Sequence, residues 1–347
     1  MTGIGIKTKT APARPVGVLS GPLMKYWFAY IGIFYLVYLV LIFGQSYWRA
    51  ALDHWPIAIA MSLGSVVAGS TPMGGGTIGF PVLVLLLGQS SSIGRNFGMA
   101  AQALGMTSAM IFILCRRTAI QKLTLICGIV GAAAGLLIGT FLISPYLPGS
   151  VVKLLFSSVW MSFGILTLAR NREFCSLNQI PKMGGKADVV IGLGVGLLGG
   201  MITSIIGVGI EMVAYTVLVL RYRCDLKAAV PTAVSIGAMT SVMGIGLHAL
   251  FGDIGKETFY NWLAAAPIIV LGAPFGAYLV SIIPRIRTLY FVSILCLVQF
   301  IWTLYQVSPS AGEWLFVIGS LTCAGVCFYS LYRRGLVEQS RTPVLSE

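Results

Sequence analysis

Two glycine-rich interruptions hold the residue types from which chemistry is expected. Ser70-Thr71-Pro72-Met73-Gly74-Gly75-Gly76 divides an apolar stretch over 57–88, and Thr203-Ser204-Ile205-Ile206-Gly207-Val208-Gly209 divides another over 188–220. A helix that restarts just after Gly76 presents unpaired backbone N–H groups and the positive end of its dipole, an arrangement that attracts anions. Hydroxyls of Ser70, Thr71 and Thr77 at the first interruption, and of Thr203 and Ser204 at the second, add hydrogen bonds without adding a full charge. Each hydroxyl also has a structural alternative, a bond to its own helix backbone. Glu211 follows the second glycine pair inside an apolar stretch, where an ionisable group costs ~2.5–3.5 kcal/mol on membrane-insertion scales. It is expected either to carry a proton while an anion is bound, coupling the two movements, or to be locked to a base or a backbone donor.

The helices that follow the interruptions, 93–115 and 228–250, bring further polar positions. Gln102 and Ser235 occupy matching places and are expected to line the same cavity, with Thr232 one turn earlier. An interhelical hydrogen bond is the alternative role for Gln102. Arg95 and His248 fall at the outer ends of these helices, where interfacial anchoring competes with anion attraction for the arginine and with proton relay for the histidine. No catalytic constellation is expected. His-rich and paired-carboxylate patterns are missing, and Ser235 and His248 are nearly 20 Å apart at ~1.5 Å of helix rise per residue.

These residues need a scaffold, and composition says which kind. Of 347 residues, 57% are hydrophobic and 10% charged, against roughly 25% charged in soluble domains. The chain is an all-α polytopic membrane protein in this reading, embedded in a lipid bilayer. Its seven cysteines form no C-x-x-C pair and read as small hydrophobes, so neither a metal nor another cofactor is expected. The net charge of +13 sits in short loops between apolar runs, which points to cytoplasmic retention rather than to nucleic acid.

Ten apolar segments run over 26–44, 57–88, 93–115, 123–144, 151–169, 188–220, 228–250, 259–282, 288–306 and 313–332. Ten simple crossings would expose Arg116, Arg117, Lys122, Arg170, Arg172, Lys182 and Lys186 on the outer side. If the two interrupted segments enter and return on one side, only Arg49, Arg95, Lys153 and Lys256 stay outside. The expectation is eight crossing helices plus two re-entrant broken-helix elements, multi-pass, with the N- and C-termini cytoplasmic.

Displacing the chain by 133 residues aligns Gly74 with Gly207, Gly76 with Gly209, and Met106-Thr107-Ser108-Ala109-Met110 with Met239-Thr240-Ser241-Val242-Met243. Gly131-Ala132-x-x-Gly135 likewise matches Gly272-Ala273-x-x-Gly276 at a shifted register, a spacing that also suits close helix packing. Each unit is one re-entrant element plus three crossings, and an odd number of crossings makes the pair an inverted-topology repeat. The expected organisation is a basic cytoplasmic arm (1–25), a first helix and loop (26–56), repeat 1 (57–187), repeat 2 (188–306), and a last helix with a cytoplasmic tail (307–347). Inverted repeats with interrupted segments place a substrate near the midplane.

Gly74-Gly75-Gly76-x-x-x-x-Pro81, Ala229-Val230-Pro231-Thr232-Ala233-Val234-Ser235 and the repeated Gly-Ala-x-x-Gly helices together resemble the TauE/SafE family of sulfite exporters over roughly 57–306. The resemblance implies a secondary carrier of small sulfur-containing anions, sulfite or an organosulfonate, in a bacterial or archaeal cell membrane. Gly207-Val208-Gly209-Ile210-Glu211 and Ala214 depart from the fuller glycine run and the proline of the first half. The residues expected to meet substrate are Ser70, Thr71, Gly74, Gly75, Gly76, Thr77, Gln102, Thr203, Ser204, Gly207, Gly209 and Ser235, with Glu211 in coupling. Helix-end N–H groups suit a carboxylate as well as a sulfonate, so a carrier of another small anion is the alternative. A non-transporting sensor or scaffold and an integral-membrane enzyme are the rivals from other classes.

Overall fold

Apolar runs of ~20 residues satisfy their own peptide groups in hydrocarbon by becoming helical. The computed structural model, which describes residues 21–341, has helices at all ten apolar segments. Lys7, Lys9 and Arg14 of the basic arm and the tail residues 342–347 lie outside the described residues. The order is α1 (Met24–Gly44), α2 (Trp48–Asp53), α3 (Trp55–Ser70), α4 (Gly76–Pro81), α5 (Ser91–Cys115), α6 (Lys122–Ile138), α7 (Gly149–Ser176), α8 (Lys186–Ile206), α9 (Ile210–Leu220), α10 (Leu226–Leu250), α11 (Lys256–Ile282), α12 (Arg285–Val307) and α13 (Ala311–Arg341). Among the described residues nine helices are long and apolar enough to cross a membrane; α3, α4 and α9 are shorter apolar helices, and α2 has six residues. Pro81 removes one ladder N–H from α4, which continues as a wider π-type turn over Val82–Leu86.

The interrupted segments fold back rather than continue. A side chain at Gly64 of α3 would touch Ile78 of α4, and one at Gly199 of α8 would strike the backbone of Ile210 of α9. The far ends of the second segment meet as well, since the Tyr222 hydroxyl donates to Asp188 Oδ1 at 2.9 Å. Burial, and then this bond to the carboxylate, push the Tyr222 phenol up from its ordinary range, so it stays a donor.

Gly131 and Gly135 of α6 let the backbone of α8 approach so closely that a side chain would strike the carbonyls of Leu193 and Leu197. At Gly272 and Gly276 of α11 a side chain would strike the Ser65 hydroxyl and the Val66 carbonyl of α3. The two Gly-Ala-x-x-Gly helices are therefore packing surfaces, α6 on α8 and α11 on α3. α5 packs on α10 and α7 on α12 as well. Behind α4, Phe80, Phe156 and Trp160 stack with ring centroids 4.7 and 4.3 Å apart.

Among the described residues no cluster of His, Cys, Asp and Glu that would hold a metal occurs. Cys224 illustrates the hydrophobic role: burial, with the Asp225 charge adding to it, pushes its thiol up to about 12.

Candidate functional site

At the first interruption the hydroxyls hold the break in shape. Thr71 Oγ1 donates to the Val67 carbonyl at 2.8 Å and accepts from the Met73 N–H at 3.4 Å. Thr77 Oγ1 donates to the Met73 carbonyl at 2.5 Å and accepts from Trp160 Nε1 at 2.9 Å. Ser70 Oγ reaches only its own helix, the Val67 carbonyl at 3.4 Å. Gly74 adopts φ +71°, a left-handed conformation that a side chain resists. The N–H groups of Gly75 and Gly76, at the start of α4, have no hydrogen-bond partner among the described residues.

At the second interruption the N–H groups of Gly207, Gly209 and Ile210 find partners within the break. Gly207 closes α8 at φ +85°, its N–H on the Thr203 carbonyl at 2.7 Å. Thr203 Oγ1 accepts from the Ile210 N–H and Glu211 Oε2 from the Gly209 N–H, both at 3.2 Å. The first N–H groups of α9 are thus met by the Thr203 hydroxyl and the Glu211 carboxyl. Ser204 Oγ donates to the Met201 carbonyl at 2.7 Å.

The two interruptions meet in the interior. A side chain at Gly76 would run into Val208, and one at Gly74 into the Gln102 amide and the Glu211 carboxylate. Gln102 Nε2 donates to Glu211 Oε1, and Gln102 Oε1 accepts from Ser241 Oγ at 2.8 Å. Gly237 of α10 leaves room for the Glu211 side chain, and Glu211 and Ser241 are wholly buried. Ser241 escaped the sequence reading as a site residue, although the aligned Met-Thr-Ser triplets contained it. Trp160 gave no signal at all, being one aromatic among many.

Ser235 and Thr232 do not join this group. The Ser235 hydroxyl donates to Pro231 and that of Thr232 to Ala228, both in α10, while Thr232 also accepts the Gln121 N–H. Both hydroxyls thus bond back into the proline-bearing helix that carries them.

Arg95 seals one side of the site. Its carbonyl lies against Gly207, and its guanidinium donates to Asn96, to Ser144 Oγ at 2.8 Å and to Asp253 Oδ2 at 2.5 Å. His248 Nδ1 shares the same Asp253 oxygen at 2.9 Å. Asp253→Asn would leave a buried cation without its counter-charge. A loss of about 2 kcal/mol is expected, below the ~3–5 of a fully buried pair because Asp253 is half-exposed. Thermal unfolding in detergent checks this against Glu257→Gln, whose contact with His54 is more open; equal shifts would make both pairs superficial.

Interrupted helices that meet inside a bundle of helices long and apolar enough to cross a membrane suit a membrane transporter. Residues 56–301 match the family Sulfite exporter TauE/SafE, well over half of the chain, and the protein belongs to that family. The family's members are transporters of small anions and not enzymes. No curated protein and no solved structure matches the chain.

Proposed function

We propose that the chain is a secondary carrier of sulfite or an organosulfonate, working by alternating access about the meeting point of the two interruptions. The observation that carries this is the pair of unpartnered N–H groups at Gly75 and Gly76, beside the other interruption. An oxyanion accepts from such donors without needing a cation in the membrane. Glu211 is the coupling group: as a carboxylate it occupies the start of α9, and a proton on it removes a like charge next to the incoming anion. Ser70, Thr71, Thr77, Thr203 and Ser204 set the shape of the two breaks, and Gln102 ties them together.

The topology that goes with this function has eight crossings and two re-entrant elements, in repeats over 57–187 and 188–306. It is supported by the folded-back segments, by the Tyr222–Asp188 contact and by the reciprocal packing of α6 on α8 and α11 on α3. It puts the basic face, with Arg116, Lys182 and Arg223, in the cytoplasm together with both termini. In a cysteine-free background, a cysteine replacing Lys182 is expected to be shielded from an impermeant thiol reagent in intact cells, and one replacing Gln89 to label. Labelling of both from outside would restore ten crossings. Substrate class is tested in proteoliposomes by radiolabelled sulfite flux: unlabelled sulfonates are expected to compete, and competition by carboxylates alone would reassign the substrate.

A further inference from the structure

A cavity of about 280 Å³ opens at the basic face, between the end of α5 and the start of α10. Its depth is apolar, with Phe112 and Ala277, and it reaches Gly69 on the last turn of α3, immediately before Ser70 and the first interruption. Its lining also includes Arg116, Thr118 and Lys227. Arg116 lies near the rings of Phe112 and Tyr278, and neither it nor Lys227 has an acidic partner among the described residues. The nearby carboxylate, Asp225, caps α10 by accepting the Lys227 N–H at 2.9 Å. The opposite face differs: there Arg95 is neutralised by Asp253 and enclosed by Ser144 and Asn96. A second cavity, of about 310 Å³ between α4 and α12, is lined by apolar side chains with Thr77 and Gln299 and has no charged residue in its lining.

We infer that this cavity is an anion-loading vestibule, in which Arg116 and Lys227 gather a small oxyanion from the basic face and deliver it to the first interruption. The inference rests on the transport reading and adds a second, one-sided binding site to it. Two uncompensated cations above a low-dielectric floor concentrate anions and raise their rate of capture, an effect that salt screens. On the opposite face the arginine beside the site, Arg95, is neutralised by Asp253, so the recruitment acts on one face only.

Sulfite exchange is measured in inverted membrane vesicles, which present the basic face, and in right-side-out vesicles. The double variant Arg116→Gln/Lys227→Gln is expected to raise the apparent KM for sulfite about tenfold in inverted vesicles at low salt, with the maximal rate and the KM of right-side-out vesicles unchanged. Wild-type KM is expected to rise with ionic strength and that of the variant to stay flat, while Arg116→Lys/Lys227→Arg restores the wild-type values. Equal KM values for wild type and double variant, or the same rise on both faces, would overturn the vestibule while leaving the carrier intact. A lipid phosphate would satisfy the same cations. If the effect disappears in proteoliposomes of pure phosphatidylcholine and returns with phosphatidylglycerol, the cavity holds a headgroup and the inference fails. Wild-type protein that exchanges no sulfite, sulfonate or other oxyanion would overturn the transport reading itself.

Discussion

Gly74→Ala is expected to abolish transport while the protein still inserts and folds. The methyl group meets two obstacles at once. The position has φ +71°, which costs an L-residue roughly 1–2 kcal/mol. Its Cβ would also overlap the Gln102 amide and the Glu211 carboxylate, the groups that join the two interruptions. Those side chains can give way only by breaking their own bond, so the strain falls on the site and not on the bundle. Gly76→Val adds a branched side chain against Val208 and is expected to act in the same way. Gly194→Ala is the control, since a side chain there meets nothing within 4 Å. Sulfite flux in proteoliposomes, normalised to reconstituted protein, checks the series; near-normal flux in Gly74→Ala would place the substrate elsewhere.

Glu211→Gln is expected to separate anion movement from proton movement. The carboxylate accepts from Gln102 Nε2 and from the Gly209 N–H. A proton turns one of these acceptors into a donor, so Gln102 must reverse its amide to receive it. Its NH₂ group then faces Ser241, whose hydroxyl accepts as readily as it donates. The network thus has one arrangement for each charge state, and glutamine at 211 fixes the neutral one. With the membrane potential clamped, a pH gradient of about one unit supports up to about tenfold accumulation per coupled proton in the wild type. The Gln variant is expected to equilibrate sulfite without accumulating it, while sulfite exchange continues. Full proton-driven accumulation in the variant would make Glu211 a structural group.

The elements were legible wherever the signal is local. Runs of apolar residues fix the helices, and Gly74-Gly75-Gly76 and Gly207-Val208-Gly209 mark the breaks, because only a glycine takes φ +71° or +85° at no cost. The close packing at Gly131 and Gly135 was legible too, but its partner was not: nothing in α6 states that α8 lies against it. Glu211 stood out as a carboxyl in an apolar stretch, whereas the Gln102 bond that holds it spans 109 residues of sequence. The hydroxyls show the opposite problem. Position alone does not say how Ser70, Ser204 and Ser235 spend their hydrogens, and each donates to a carbonyl three or four residues back in its own helix. Arg95 read as an interfacial anchor because Asp253, its counter-charge, lies in a distant loop.

Counterflow tests the central claim most directly, because it needs no driving ion and so separates translocation through the site from coupling. Proteoliposomes are loaded with unlabelled sulfite and diluted into a trace of radiolabelled sulfite. The wild type is expected to accumulate label transiently above its external concentration, Glu211→Gln to do the same, and Gly74→Ala to show none. Equilibration without an overshoot, or an overshoot that survives Gly74→Ala, would contradict an alternating-access carrier whose site lies where the two interruptions meet.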